Sequence, residues 1–240
     1  MGDIEPGAPR VDKDEWIRSV VKGQTFADVG GLWRTVNEKV SFALQAGATA
    51  ATMIDVEPME SDLWAQFKAH CATMKVTGYE CVEADATAPG LRERVGVFDV
   101  VHCSGVIYHV PDLVGFLRNL AAIARKHLIV TSMIFPPVIE NEFGRLDLRG
   151  GHCMFVPLMS DEQRKIAAAY ASTRGQKIAH LNGPPMEQWI EESGIWDYAG
   201  WVWMMTAEFL LGLAEVCGLR VIKHGPRFGG RSYSILCQLS

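Results

Sequence analysis

Three acidic residues each stand at or near the end of a short apolar segment, and their positions suggest a ligand site. Asp28 precedes the pair Gly30-Gly31, whereas Asp55 and Asp85 each close a later apolar segment. A carboxylate at such a position can accept hydrogen bonds from ribose hydroxyls or from an adenine amino group. Glycines allow a backbone to approach a ligand closely. Taken singly, each acid is equally explained as a turn residue or as an acid at a helix N-terminus.

The apolar segments that precede these residues alternate with segments of helical periodicity. Strands are predicted at residues 25–30, 51–56, 79–85, 97–103 and 127–131. Helices are predicted between them at 35–46, 61–72 and 112–124. This alternation predicts a doubly wound α/β fold, because a crossover helix returns the chain to a parallel strand. The continuous apolar character of the strands agrees, since parallel strands are buried on both faces.

The two ends of the chain depart from this alternation. Residues 1–21 are predicted to form an arm, polar and rich in Pro and Gly through residue 15 and helical from 16 to 21. A helix at 206–217 is followed by strands at 220–223 and 233–239, with Gly229-Gly230 able to turn a hairpin. The sheet is therefore expected to have seven mostly parallel strands, with the last strand antiparallel.

A long interruption separates the fifth strand from the late helix. Residues 136–200 hold five of the eleven prolines, and no strand pattern recurs there. Ser160 and Gln163 match a capping box that would start a helix through Ala171. We interpret this segment as a lid or substrate wall. The core domain would then comprise residues 22–135 and 201–240, with the lid at 136–200.

Composition excludes several classes of partner. The chain carries 23 Lys and Arg against 28 Asp and Glu, a net charge of −5 at pH 7, so a nucleic-acid partner is not expected. No apolar run is long enough to span a membrane, and no apolar signal region opens the sequence. The six cysteines lack CxxC spacing and are expected to be reduced thiols, which predicts a cytoplasmic protein.

In their order, these motifs resemble those of the class I S-adenosylmethionine-dependent methyltransferases. Asp28-Val29-Gly30-Gly31 is similar to the first, glycine-rich motif, and the stretches around Asp55 and Asp85 are similar to the ribose and adenine motifs. Residues 98–101 and 105–112 are similar to the fourth motif and its loop. The likeness covers residues 22–135 and 206–240.

The resemblance implies S-adenosylmethionine as cofactor and S-adenosylhomocysteine (SAH) as product. The residues implied to bind the cofactor are Asp28, Gly30, Gly31, Trp33, Asp55, Asp85, Ala86, Cys103 and Ser104. The chain departs from the family where Leu32 and Arg34 occupy later glycine positions, which makes Trp33 and Asn37 candidate contacts for the methionine end. The family's catechol-type metal site is not expected, because its acids are replaced by Cys103-Ser104 and by residues 131–133. A cation held elsewhere by lid residues stays open.

Methyl transfer to a hydroxyl needs a base that removes the acceptor's proton, and histidine suits that task at neutral pH. His109 lies in the loop after the fourth strand, beside the expected sulfonium, and Tyr108 next to it could orient an acceptor. His152 follows two glycines in the lid, where a closing segment would reach the substrate. His152 ranks slightly above His109.

Aromatic residues near the end of the lid suggest the type of acceptor. Tyr198, Trp201 and Trp203 are predicted to line its pocket, although aromatic clusters equally pack a lid or an interface. Charged neighbours favour the hydroxyl of a small polar molecule, such as a sugar or glycoside, over a lipid. The apolar run at 201–205 suggests a homodimer. A phenolic acceptor, a nicotinamide-dependent oxidoreductase and a non-catalytic cofactor-binding protein are the alternatives.

Overall fold

The computed structural model describes residues 12–33, 38–174 and 203–239. In chain order the strands are β1 Thr25–Val29, β2 Ala50–Asp55, β3 Tyr79–Glu83, β4 Phe98–Ser104, β5 Ala124–Met133, β6 Val138–Asn141, β7 Gly144–Asp147, β8 Cys153–Phe155, β9 Trp203–Met205, β10 Arg220–Arg227 and β11 Ser232–Gln238. The α-helices are α1 Lys13–Val21, α2 Val40–Gln45, α3 Asp62–Thr73, α4 Leu91–Val95, α5 Leu113–Ile123, α6 Asp161–Thr173 and α7 Ala207–Val216.

Seven strands form the central sheet, in the order β10-β11-β5-β4-β1-β2-β3. The pairs among β1 to β5 are parallel, and β11 runs antiparallel to both of its neighbours. The predicted doubly wound, mostly parallel fold is therefore confirmed, as is the antiparallel last strand. The register Arg227↔Ser232 and Ser232↔Met133 places the β10–β11 turn at the same sheet edge as the carboxyl end of β5.

Helices cover both faces of the sheet. One buried cluster joins α1, α2 and α3 to the sheet through residues such as Ile17, Phe67 and Phe26. The other joins α4, α5 and α7 to the opposite face, with Phe116 and Leu213 among its members. Each strand of the sheet centre is thus buried on both sides, as its apolar sequence predicts.

Two helices begin at positions that differ from the sequence expectation. Helix α1 starts at Lys13, within the stretch expected to be a loose arm, because Asp12 caps it by accepting a hydrogen bond from the Asp14 amide. Helix α2 starts at Val40 rather than at residue 35. The Glu38 carboxylate accepts from the Ser41 amide, and the Lys39 amide donates to Asp28, so residues 38–39 form the turn that enters the helix.

The segment after β5 contains short strands that the sequence did not reveal. Strands β6 and β7 form an antiparallel hairpin, and β8 pairs antiparallel with β9. These strands are three or four residues long, too short for an alternating pattern to be recognised. Helix α6 starts at the predicted capping box of Ser160 and Gln163. Among the described residues, no helix has the length and apolar character needed to cross a membrane.

Candidate cofactor and acceptor site

The glycine loop that follows β1 is packed tightly against its neighbours. Gly30 has a φ of +74° and donates its amide to the Ile54 carbonyl at 2.8 Å. A Cβ at Gly30 would lie 2.3 Å from Val106 Cγ2, and one at Gly31 would lie 2.5 Å from Asp28 Oδ2. Gly30 is therefore favoured by its left-handed conformation and by close approach, and Gly31 by close approach alone. Trp33, two residues later, is 69% exposed.

Asp55 lies at the end of β2, where the sequence placed the ribose-binding acid. Its Oδ2 accepts from the Leu32 amide at 3.1 Å, and its Oδ1 accepts from the Glu57 amide at 3.2 Å. Burial raises the pKa of this carboxyl, and the hydrogen bond from Leu32 opposes that rise. A carboxylate can accept about four hydrogen bonds, so each oxygen keeps capacity for a ribose hydroxyl. The remaining acceptor capacity of Asp55 therefore fits a nucleoside cofactor, whose ribose hydroxyls donate.

Asp85 and Ala86 form a turn just beyond the end of β3. Asp85 Oδ1 accepts from the Thr87 amide at 2.8 Å and from the Thr87 hydroxyl at 2.7 Å. Asn119 on α5 donates to the Ala86 and Ala88 carbonyls, each at 3.0 Å. These bonds hold the turn at the carboxyl edge of the sheet, beside the end of β2.

Asp28 is committed to contacts within the protein. Its Oδ1 lies 2.7 Å from His102 Nδ1, and its Oδ2 accepts from the Lys39 amide at 2.7 Å. Asp28 and His102 are each 1% exposed. Burial is the largest influence on His102 and lowers the pKa of its imidazole. We infer that Asp28 supports the glycine loop from beneath.

The end of β4 brings together one core residue and one polar residue. The thiol of Cys103 packs in the apolar core, where burial raises its pKa, so only its backbone can face a ligand. The Ser104 hydroxyl accepts from Lys13 Nζ at 3.0 Å. Lys13 is 6% exposed, and burial, together with repulsion from Lys39, lowers its pKa to about 8.

Tyr108 and His109 lie in a single helical turn after β4. Their ring centroids are 4.2 Å apart, and a Cβ on Gly105 would lie 3.7 Å from the Tyr108 hydroxyl. Burial raises the pKa of Tyr108 to about 12, so this phenol stays protonated near neutral pH. His109 is half-buried, whereas His152 is exposed in the turn between β7 and β8.

Trp203 is the predicted acceptor residue that the structure describes. Its indole Nε1 donates to the Val110 carbonyl at 3.0 Å, and its ring centroid lies 4.9 Å from that of Phe155. The insertion is thereby attached to the loop that carries Tyr108 and His109. Asn37, Tyr198 and Trp201 lie outside the described residues.

An open cavity of about 330 Å³ lies in the insertion. It is lined by Cys153, Met154, Phe155, Leu158, Met159 and Gln163. In the described ranges no three His, Cys, Asp or Glu side chains are grouped closely enough to hold a metal ion.

Sequence reasoning missed the basic residues at this edge of the sheet. Lys13 reaches Ser104 from α1, and Arg227 ends β10 at the same edge. A signal for Lys13 existed, because it shares a helical face with Trp16 and Ile17, which are both buried. No comparable pattern marks Arg227, since its position depends on the pairing of β10 with β11.

Comparison with known proteins agrees with this geometry. A family described as a methyltransferase domain matches residues 38–129. A methyltransferase from Aquifex aeolicus described as SAM dependent has 12% identity and a TM-score of 0.52, covering 95% of this chain and 88% of its own. Magnesium protoporphyrin IX methyltransferase from Synechocystis PCC 6803, solved with bound SAH, has 14% identity and a TM-score of 0.54, covering 98% and 90%.

A third solved structure carries a different description. This protein from Rhodobacter sphaeroides, described as a Zn-dependent alcohol dehydrogenase, has 15% identity and a TM-score of 0.60, covering 97% of this chain and 92% of its own. No curated protein matches the sequence. At such identities structural likeness establishes the fold, while residues 38–129 match the methyltransferase-domain family. The fold and this partial match together support a class I S-adenosylmethionine-dependent methyltransferase.

Proposed function

We propose that this protein binds S-adenosylmethionine and transfers its methyl group to a hydroxyl of a small polar molecule, with a sugar or glycoside as the preferred class. The observation that carries the proposal is Asp55, a buried carboxylate that accepts one hydrogen bond on each oxygen from the backbone. One of these bonds ties the ribose-binding acid directly to the glycine loop. The neighbouring Asp85 turn supplies the adenine edge.

The cofactor supplies an electrophilic methyl group on a sulfonium, whose departure leaves a neutral thioether. The chain must then hold the acceptor oxygen in line with that methyl and keep water out. Asp55 and Asp85 anchor the nucleoside, the backbone at Gly30, Gly31 and Cys103 borders the methionine portion, and Ser104 stands at the mouth of β4. Trp33, on the exposed side of the glycine loop, is a further proposed contact.

The acceptor is proposed to lie between the β4 loop and the insertion. Trp203 and Phe155 present aromatic rings there, while Gln163 adds a polar group to the adjoining cavity. An aromatic face together with amide groups suits a hydroxylated ring. His152 or His109 is proposed to accept the hydroxyl proton, with Tyr108 orienting the acceptor. A phenolic natural product is the second acceptor class, since a planar ring would use the same aromatic residues.

Calorimetry with SAH tests the proposed cofactor. The wild-type protein is expected to bind, and Asp55→Ala should weaken binding by about 2 kcal/mol, because two ribose hydroxyls lose a charged acceptor. Asp62→Ala, an exposed acid at the start of α3, serves as the matched control and should bind SAH like the wild type. An absence of SAH binding to the wild type would refute the proposal.

Two further titrations separate the remaining alternatives. Binding of NADH without binding of SAH would favour an oxidoreductase, the class suggested by the Rhodobacter sphaeroides description. Binding of SAH without methyl transfer to any sugar or phenol in an acceptor panel would favour a non-catalytic protein. Transfer of labelled methyl to one class of acceptor identifies the substrate.

A homodimer and a cytoplasmic location remain part of the proposal. Met204 and Met205 are fully buried within the single chain, so these two residues of the run at 201–205 are not exposed to a second copy. Light scattering at micromolar protein concentration measures the assembly directly.

A further inference from the structure

A polar strip crosses one face of the sheet near its carboxyl edge. In the strand registers Ser104 lies opposite Thr131, Thr131 opposite Ser234, and Ser232 opposite Arg227. This is the face on which Ile129 and Leu236 pack against α1, because side chains alternate along a strand. Thr131, Ser232 and Ser234 are each less than 5% exposed.

A buried ammonium group faces this strip from α1. Lys13 donates to the Ser104 hydroxyl at 3.0 Å and forms no ion pair with any described carboxylate. The nearby acids are engaged elsewhere: Asp14 pairs with Lys39 at 3.0 Å, and Asp28 binds His102. An ammonium has three donors, so Lys13 retains donors for a ligand.

The other end of the strip holds two buried polar atoms without partners. Arg227 Nη1 and the Ser232 hydroxyl oxygen are buried and have no hydrogen-bond partner among the described residues. A carboxylate oxygen of the exposed Asp12 lies 4.0 Å from Arg227 Nη2. Buried donors that lack partners are costly, and so are neighbouring like charges. Arg227 lies close enough to Lys13 to lower its pKa by repulsion.

We propose that Lys13, Arg227 and Ser232 form an oxyanion-binding subsite that takes a carboxylate or phosphate group of the methyl acceptor. The three residues supply donors, and among the described carboxylates the exposed Asp12, 4.0 Å from Arg227 Nη2, is the one that pairs with them. Such an excess of donors is the composition that recognises an oxyanion. This inference rests on the proposed methyltransferase function and deepens it, since it makes the acceptor an anionic molecule.

The position in the sheet favours the acceptor over the cofactor as the source of the anion. The nucleoside-binding acids Asp55 and Asp85 follow β2 and β3, at one end of the strand order. Arg227 and Ser232 lie on β10 and β11, at the opposite end, with β5, β4 and β1 between them. An anion bound there approaches Ser104, at the mouth of β4, from the side away from the nucleoside-binding acids.

The test uses calorimetry on the whole protein saturated with SAH. The probes are inorganic phosphate and two matched pairs, glucuronate with glucose and 4-hydroxybenzoate with 4-hydroxybenzamide. At least one oxyanion is expected to bind, at least tenfold more tightly than its neutral counterpart. Lys13→Met and Arg227→Gln should each weaken that binding at least tenfold, and Arg227→Lys should restore part of it. Lys223→Met, an exposed cation on β10, is the control and should bind like the wild type.

Several results would overturn the inference. One is an absence of binding by every oxyanion at about 10 mM, a concentration that would detect a Kd in the millimolar range. Another is an equal loss of SAH affinity in Lys13→Met and Arg227→Gln, which would assign the pair to the cofactor's carboxylate. If SAH itself fails to bind the wild type, the proposed function fails. In that case phosphate is titrated into the ligand-free protein. Binding that weakens in Lys13→Met and Arg227→Gln supports the subsite, and no binding, or equal binding in all variants, overturns it.

Discussion

His102 Nδ1 lies 2.7 Å from Asp28 Oδ1, and the two side chains are buried between the sheet and α1. The contact joins the acid of the glycine motif on β1 to the neighbouring strand β4. Because the second oxygen of Asp28 accepts from the Lys39 amide, the same carboxylate also fixes the entry to α2. The acid thus connects three elements beneath the proposed cofactor.

This pair predicts a pH dependence of stability. Burial lowers the pKa of His102 in the folded protein, so the unfolded chain binds a proton at a higher pH than the folded one. The stability that neutral His102 contributes is fully present above the unfolded pKa of about 6.5 and is lost as the pH falls below it. In urea denaturation, the free energy of unfolding of His102→Gln should therefore fall less than that of the wild type below about pH 6.5, because glutamine can donate to Asp28 without titrating. His152→Gln, an exposed control, should keep it; an unchanged slope in His102→Gln would contradict the prediction.

The glycine loop predicts a stability difference between two glycines of similar conformation. Gly30 and Gly78 have φ values of +74° and +80°, but a Cβ at Gly78 meets nothing within 4 Å. Gly78→Ala should therefore lower the free energy of unfolding by about 1 kcal/mol, the penalty for placing alanine in the left-handed conformation. Gly30→Ala adds the clash with Val106 and should cost at least twice as much by urea denaturation, with weaker SAH binding.

The double variant Gly30→Ala/Val106→Ala separates the two costs. It should recover the part of the loss that comes from the clash, while the conformational part remains. If Gly30→Ala and Gly78→Ala lose equal stability, the close approach of Val106 has no energetic consequence and the prediction is wrong.

The fold could be predicted from the sequence because its signals are local. The apolar strands that end near Asp28, Asp55 and Asp85 alternate with helical segments, and a parallel sheet brings their carboxyl ends to one edge. The strand order and the antiparallel last strand follow from the same pattern once the family resemblance is recognised. The match over residues 38–129 covers most of these motifs.

The partners of the site residues could not be predicted, because they are distant in sequence. Asp28 and His102 are 74 positions apart, and Lys13 and Ser104 are 91 apart. No spacing rule links such pairs: the helical face that Lys13 shares with Trp16 and Ile17 signals its burial but not its partner Ser104. The short strands β6 to β9 were not predicted for a different reason: a segment of three or four residues is too short to show an alternating pattern.

Trp203 predicts a separation between acceptor use and cofactor binding. Its indole donates to the Val110 carbonyl at the loop after β4, and Val110 is fully buried. Trp203→Phe keeps an aromatic ring but leaves that carbonyl without its donor, which should cost about 1 kcal/mol of stability. The acceptor KM should rise several-fold, while the Kd for SAH stays within twofold of the wild type. Phe143→Leu, an exposed change between β6 and β7, is the control; a parallel loss of SAH affinity in Trp203→Phe would contradict this role.

The proposed base makes a kinetic prediction for two histidines. A general base contributes roughly 10²–10⁴-fold to the rate, so replacing it should lower kcat by that factor with SAH affinity nearly unchanged. His109 is half-buried next to Tyr108, and His152 is exposed between β7 and β8, where it would need closure of the insertion to reach an acceptor. His109→Ala and His152→Ala should therefore be compared with His224→Ala, an exposed histidine on β10 that should keep the wild-type kcat. If both His109→Ala and His152→Ala keep nearly full kcat, proton removal belongs to a carboxylate or to water, and the histidine assignment is wrong.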